Sequence, residues 1–106
     1  MYYFVISMFD EHKQVKDTLE ELKLLDSRVF LIQSDDGSDF LESCDIDFKK
    51  KLPNLEHQFE DKRRLPSHAI CRNMSEGFTA AYKASVDLDE TPTMVVGLTG
   101  DTLITD

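Results

Sequence analysis

Residues Tyr2 to Met8 form a near-continuous run of aromatic, aliphatic and β-branched side chains. Such a run predicts a strand buried on both faces, as a parallel sheet requires. The period changes at Asp10. Val15, Leu19, Leu22 and Leu25 recur at spacings of four, three and three, which predicts an amphipathic helix of about four turns with Asp10 as its N-cap. Arg28 to Gln33 is again a short apolar run, so the first unit reads β-α-β, with a right-handed crossover that sets its two strands parallel and adjacent. The stretch from Ser38 to Arg64 is less regular. Leu52, Leu55 and Phe59 fit a short helix opening at Pro53, while the runs Lys49–Lys51 and Lys62–Arg64 read as solvated surface. Beyond Pro66, the segment Ser67 to Cys71 predicts a third strand. Asn73 and Glu76 then form a capping-box-like helix start, after which Met74, Phe78, Ala81 and Ser85 share a helix face. Ala80, Ala81 and Ala84 would let that helix approach a sheet closely. Thr93 to Leu98 predicts a fourth strand, again buried. The alternation implies a single α/β domain over residues 1–106: an open three-layer sheet, mostly parallel, in order 3-2-1-4 with helices on both faces.

Charge and composition narrow the functions this fold could carry. The chain holds 21 acidic and 12 basic residues, a formal net charge of −9, which disfavours binding nucleic acid or an anionic membrane through phosphates. A phosphate-bearing ligand remains compatible if one local basic group or a divalent cation meets it. Two cysteines, Cys44 and Cys71, are too few for a disulfide framework and read as reduced thiols of a cytoplasmic protein. The opening MYYFVISMF has no basic flank and runs at once into Asp10 and Glu11, so it reads as a strand rather than a signal peptide. No segment is long and apolar enough to predict a membrane span.

In open parallel sheets, ligands bind at the carboxyl ends of the strands, near the switch in strand order. The first expected strand ends at Ser7, Met8, Phe9, Asp10 and Glu11, and the second at Ser34, Asp35, Asp36, Gly37, Ser38 and Asp39. The third ends at Arg72 and Asn73, the fourth at Thr99, Gly100 and Asp101. Carboxylates stand at three ends and an arginine at the other. Hard oxygen groups suit Mg²⁺ or Mn²⁺, and an arginine suits a pyrophosphate. Each piece has a plainer reading. Asp-Asp-Gly-Ser is a good turn sequence on its own, and a lone arginine is more often surface than ligand contact.

Taken in order, these segments resemble a family. FVISMFDEHKQVKDTLEEL is similar to the opening strand, loop and helix of the inverting, family-2-like glycosyltransferases of GT-A type. VFLIQSDDGSD resembles their second strand and Asp-Asp-Gly-Ser turn. AICRNMSEGFTAAYKAS resembles their Arg-Asn-x-Gly-type helix start, with one extra residue before Gly77, and MVVGLTGDTLITD the strand bearing their Asp-x-Asp motif. The likeness covers nearly the whole chain apart from Phe40 to Leu65. It implies a Rossmann-like, nucleotide-sugar-binding half of a GT-A fold. It further implies that Ser7 lies beside the nucleotide base, that Asp35 or Asp36 hydrogen-bonds the uracil or ribose, and that Arg72 steadies the base or the phosphates. Asp101 would hold Mg²⁺ or Mn²⁺ across the diphosphate, where the metal acts as a Lewis acid on the leaving group. Two departures stand out: Thr99 replaces the first carboxylate of the Asp-x-Asp, and no residue matches the base that deprotonates the acceptor. The expectation is therefore a domain that binds a nucleotide-diphosphate sugar, lacks the acceptor half and has little transferase activity alone.

Other chemistries fit less well. A dinucleotide-binding domain needs a glycine-rich turn after the first strand, and Met8-Phe9-Asp10 has none. Receiver domains and aspartyl-phosphate phosphatases place their acidic residues after other strands. The spacing of His12, His57 and His68 matches no zinc-ligand pattern, so surface or capping roles are expected. His68 and Cys71, three apart on one expected strand, would point to opposite faces. The rival class is a non-catalytic binding or interaction module with a degenerate nucleotide site, associating with itself through the exposed flank of the half-domain.

Overall fold

A computed structural model describes residues 1–37, 39–54 and 66–99, the side chains of 66–69 excepted. Its elements follow in the order β1 (Tyr2–Met8), α1 (His12–Leu22), β2 (Ser27–Gln33), a 3-10 turn (Leu41–Ser43), β3 (Phe48–Lys51), α2 (Pro66–Asp87) and β4 (Met94–Thr99). The four strands are all parallel and ordered β3-β2-β1-β4, the α/β architecture and strand order that the sequence predicts. β1 lies at the centre, in register with β2 from Tyr2 opposite Ser27 to Met8 opposite Gln33, and with β4 from Tyr2 opposite Met94 to Ser7 opposite Thr99.

Strand pleating sends alternate side chains to opposite faces, and the core divides accordingly. Phe4, Ile6, Met8, Val29 and Leu31 pack with Val15, Leu19 and Leu22 of α1 on one face. Tyr3, Val5 and Phe30 face α2 on the other, where Ala81 is buried and Ala80 and Ala84 pack against them. The closest approach is at Gly77, where a Cβ would stand 2.2 Å from Val5 Cγ1. Only a residue without a side chain lets the helix backbone sit that near the sheet.

Several elements differ from expectation. The third strand is Phe48–Lys51, whereas Ser67 to Cys71 belongs to the first turns of α2. Proline is favoured just inside a helix start, and Ile70, Asn73, Gly77, Ala81 and Ala84 continue the helical spacing from there. Asn73 and Glu76 are consequently interior helix residues rather than a cap; Asn73 is fully buried and Glu76 pairs with Lys50 at 3.2 Å. The three lysines of β3 are exposed, as read, yet they lie on an edge strand. Its apolar anchor is Phe48, tilted against Phe30 at 6.1 Å. α1 ends at Leu22, leaving Leu25 exposed beyond it, and its cap residue is Glu11 rather than Asp10. Asp10 instead takes a left-handed conformation, φ 62°. The helix expected at Pro53 falls largely on 55–65, outside the described residues. Among the described residues no helix is long and apolar enough to cross a membrane.

At the amino ends of the strands, a polar cluster ties three elements together. Arg28 Nε donates to Glu90 at 2.8 Å, Tyr3 donates its hydroxyl to the same carboxylate at 2.5 Å, and Arg28 Nη1 donates to Asp47 at 3.1 Å. Arg28 and Tyr3 hold the Glu90 carboxyl below its ordinary range, while burial and that carboxylate push the Tyr3 phenol up.

Candidate functional site

The opposite edge, where β1 and β2 end, holds a second polar constellation. Its centre is Asp35, two residues past β2 and 1% exposed. Both carboxylate oxygens are engaged. Oδ1 accepts from Gln33 Nε2 at 2.6 Å and from the Gly37 amide at 2.7 Å. Oδ2 accepts from the Asp10 amide at 2.9 Å and lies 3.1 Å from His12 Nε2. Burial alone would push this carboxyl up, but the bonds from Asp10, Gln33, Gly37 and His12 outweigh it and hold the group below its ordinary value. Asp35 is thus an ionised, buried tie between the loop after β1 and the loop after β2. Ser34 reinforces it, donating from its amide and its hydroxyl to the Met8 carbonyl at 3.0 and 3.2 Å.

His12 enters this group because α1 begins there. The left-handed Asp10 turns the chain sharply after β1, and the first residue of the helix then stands over the end of β2. The ring stacks on Phe40, centroids 4.7 Å apart and planes 23° from parallel. Gly37 lets the two loops meet, since a Cβ there would lie 2.4 Å from His12 Cε1. The exposed carboxylate of Asp10 completes the cluster: Asp10, His12 and Asp35 each offer a ligand atom within 4.8 Å of the others.

The expected site residues are not all brought together. Ser7 is buried near the carboxyl end of β1, on the face covered by α2, with Ile32 and Thr99 as its register partners. It lies at the switch in strand order, where the chain runs outward from β1 through β2 to β3 and then crosses by way of α2 to β4 on the other side of β1. Asp35 is committed to its four donors, whereas the neighbouring Asp36 is exposed. Arg72, expected to follow the third strand, instead sits exposed within α2, next to the buried Asn73. The cation that the structure does place against the Asp35 loop is Lys51, which donates to the Gly37 carbonyl at 2.9 Å. Asp101 lies outside the described residues, as does His57.

Sequence reasoning therefore missed His12, Gln33 and Lys51. For His12 the signal was its position just after the first strand, where a helix start faces the carboxyl edge. For Lys51 no apolar pattern marked the strand that carries it. No protein-family model, no curated protein and no solved structure matches this chain.

Proposed function

We propose that this chain is the nucleotide-binding half of a sugar-nucleotide-dependent glycosyltransferase, holding a nucleotide-diphosphate sugar at the carboxyl edge of its sheet. The observation that carries the reading is the Asp35 tie. It fixes two loops at the edge where parallel sheets bind ligands, beside a switch in strand order, and leaves Asp36 outward. The resemblance of four segments in order supports the same reading. In this proposal Ser7 lies beside the base, Asp36 rather than Asp35 hydrogen-bonds the uracil or ribose, and Arg72 or Lys51 meets the phosphates. Asp101 would hold Mg²⁺ or Mn²⁺ against the diphosphate. A cytoplasmic setting belongs to the same proposal.

Calorimetry with UDP, GDP and their sugars, with and without Mn²⁺, tests it. Saturable binding is expected, weakened about tenfold or more by Asp36→Ala, the loss of a charge-assisted hydrogen bond. No binding of any of these nucleotides at millimolar concentration would end the reading.

One observation favours the second reading, an interaction module. Phe78, Tyr82 and Val86 recur every four residues on α2 and are 40%, 74% and 61% exposed. Aligned apolar residues of this kind mark association surfaces. Light scattering would separate the readings, with a stable oligomer that binds no nucleotide favouring the module.

A further inference from the structure

We propose that Asp10, His12 and Asp35 form a binding site for a divalent transition metal, with zinc, cobalt and manganese as the fitting class. The geometry is close to ready. His12 Nε2 and Asp35 Oδ2 lie 3.1 Å apart. Metal bonds of about 2.0–2.1 Å separate two ligand atoms by roughly 3.3 Å at a tetrahedral angle and about 3.0 Å at a right angle. A cation can therefore enter between these atoms with a shift of a few tenths of an ångström. The Asp10 carboxylate, already within 4.8 Å of both, is the third ligand and has an exposed side chain free to swing inward.

The surroundings are those of a supported site. A metal-ligating carboxylate works best when its other oxygen is held, and Asp35 Oδ1 is fixed by Gln33 and Gly37. Oδ2 has two lone pairs: one stays with the Asp10 amide, and the metal takes the direction used by His12. The His12 ring is oriented by its stack on Phe40, and it would coordinate through Nε2 with a proton on Nδ1. Two carboxylates and a neutral imidazole balance a dication. One nitrogen and two oxygens favour zinc, cobalt or manganese over magnesium or calcium, which prefer all-oxygen sets. Three protein ligands also leave a coordination position for water or a ligand oxygen.

This site is separate from the metal expected at Asp101, and it does not depend on the nucleotide reading. The test uses the metal alone. The whole chain carrying Cys71→Ser, which removes an exposed thiol, is titrated with Co²⁺ and then Zn²⁺, followed by visible absorption and calorimetry. One equivalent is expected to bind, with ligand-field bands of a low-coordinate Co²⁺ and no thiolate charge transfer. Asp10→Asn, which keeps a residue tolerant of positive φ, and His12→Gln, which keeps a hydrogen bond to Asp35, should each weaken binding by more than about tenfold. That loss is at least as large as the 10–100-fold typical of outer-shell changes. Unaltered binding in both variants, with the fold intact by circular dichroism, would overturn the site. So would the absence of saturable binding below about 1 mM. A chain that binds metal but no nucleotide keeps this inference and loses the preceding one, and the reverse outcome does the opposite.

Discussion

Asp35 shows how one buried side chain can tie two loops into a site. Two of its four donors, the Asp10 amide and His12, come from the chain after β1, and two, Gln33 and Gly37, from its own strand end and loop, so replacing it strands several polar groups at once. Asp35→Asn keeps the shape but turns an amide toward N–H donors. It is expected to cost on the order of 3 kcal/mol in urea denaturation at neutral pH. The pH dependence has a definite sign. The folded carboxyl titrates below its ordinary value, so its contribution is complete above about pH 4 and is lost as pH falls through the lower, folded value. The wild-type chain should thus lose more stability than Asp35→Asn on acidification below pH ~4, and equal losses would contradict this role. The acidic pair after β2 was legible in the sequence, because it directly follows a readable apolar run at the edge where parallel sheets bind ligands. Which of the two turns inward was not. That choice depends on the Asp10 amide and His12, both brought in from the loop after β1.

At the scale of elements, apolar periodicity found β1, β2, α1 and β4 and failed at β3. The inner strands β1 and β2 must be apolar on both faces and therefore announce themselves; β4 is as apolar in sequence but lies on the outer side of the described sheet and is largely exposed rather than buried. An edge strand needs ladder hydrogen bonds and one anchor, here Phe48, and the lysines that complete it read as surface. The start of α2 was missed for a related reason: Ser67 to Cys71 is short, and short apolar runs do not separate helix from strand. The small residues of α2 were read correctly as permitting close packing, and Gly77 is where this is tested most sharply. Alanine for glycine inside a helix ordinarily gains about 1 kcal/mol. Here the new methyl would meet Val5 at 2.2 Å, and overpacking of this kind costs about 1–3 kcal/mol. Gly77→Ala should therefore destabilise the chain, and by less in a Val5→Ala background. Additive effects in that double-mutant cycle would show that the contact relaxes freely.

For the molecule as a whole, the strand order followed from the alternation of elements even though one strand was misplaced. Parallel β-α-β units admit few arrangements, and moving the third strand along the chain left the order unchanged. Within a net charge of −9, three lysines stand together on the outer strand β3, and the Asp35 group lies at the carboxyl ends. Hydrogen exchange should reflect the layout: amides in the middle of β1 and β2 are expected to be the most protected, with β3 and the outer side of β4 opening first. Faster exchange at the centre than at the edges would contradict a single cooperative core. The register that sets Tyr2 beside Met94 also has a consequence for how the chain assembles. β1, α1 and β2 can pair early, but one flank of β1 waits for a strand made some ninety residues later. Such long-range closure slows folding and leaves an unpaired, apolar strand edge open to other chains. During synthesis, the segment that anchors the finished sheet is also the one longest at risk of pairing with a stranger.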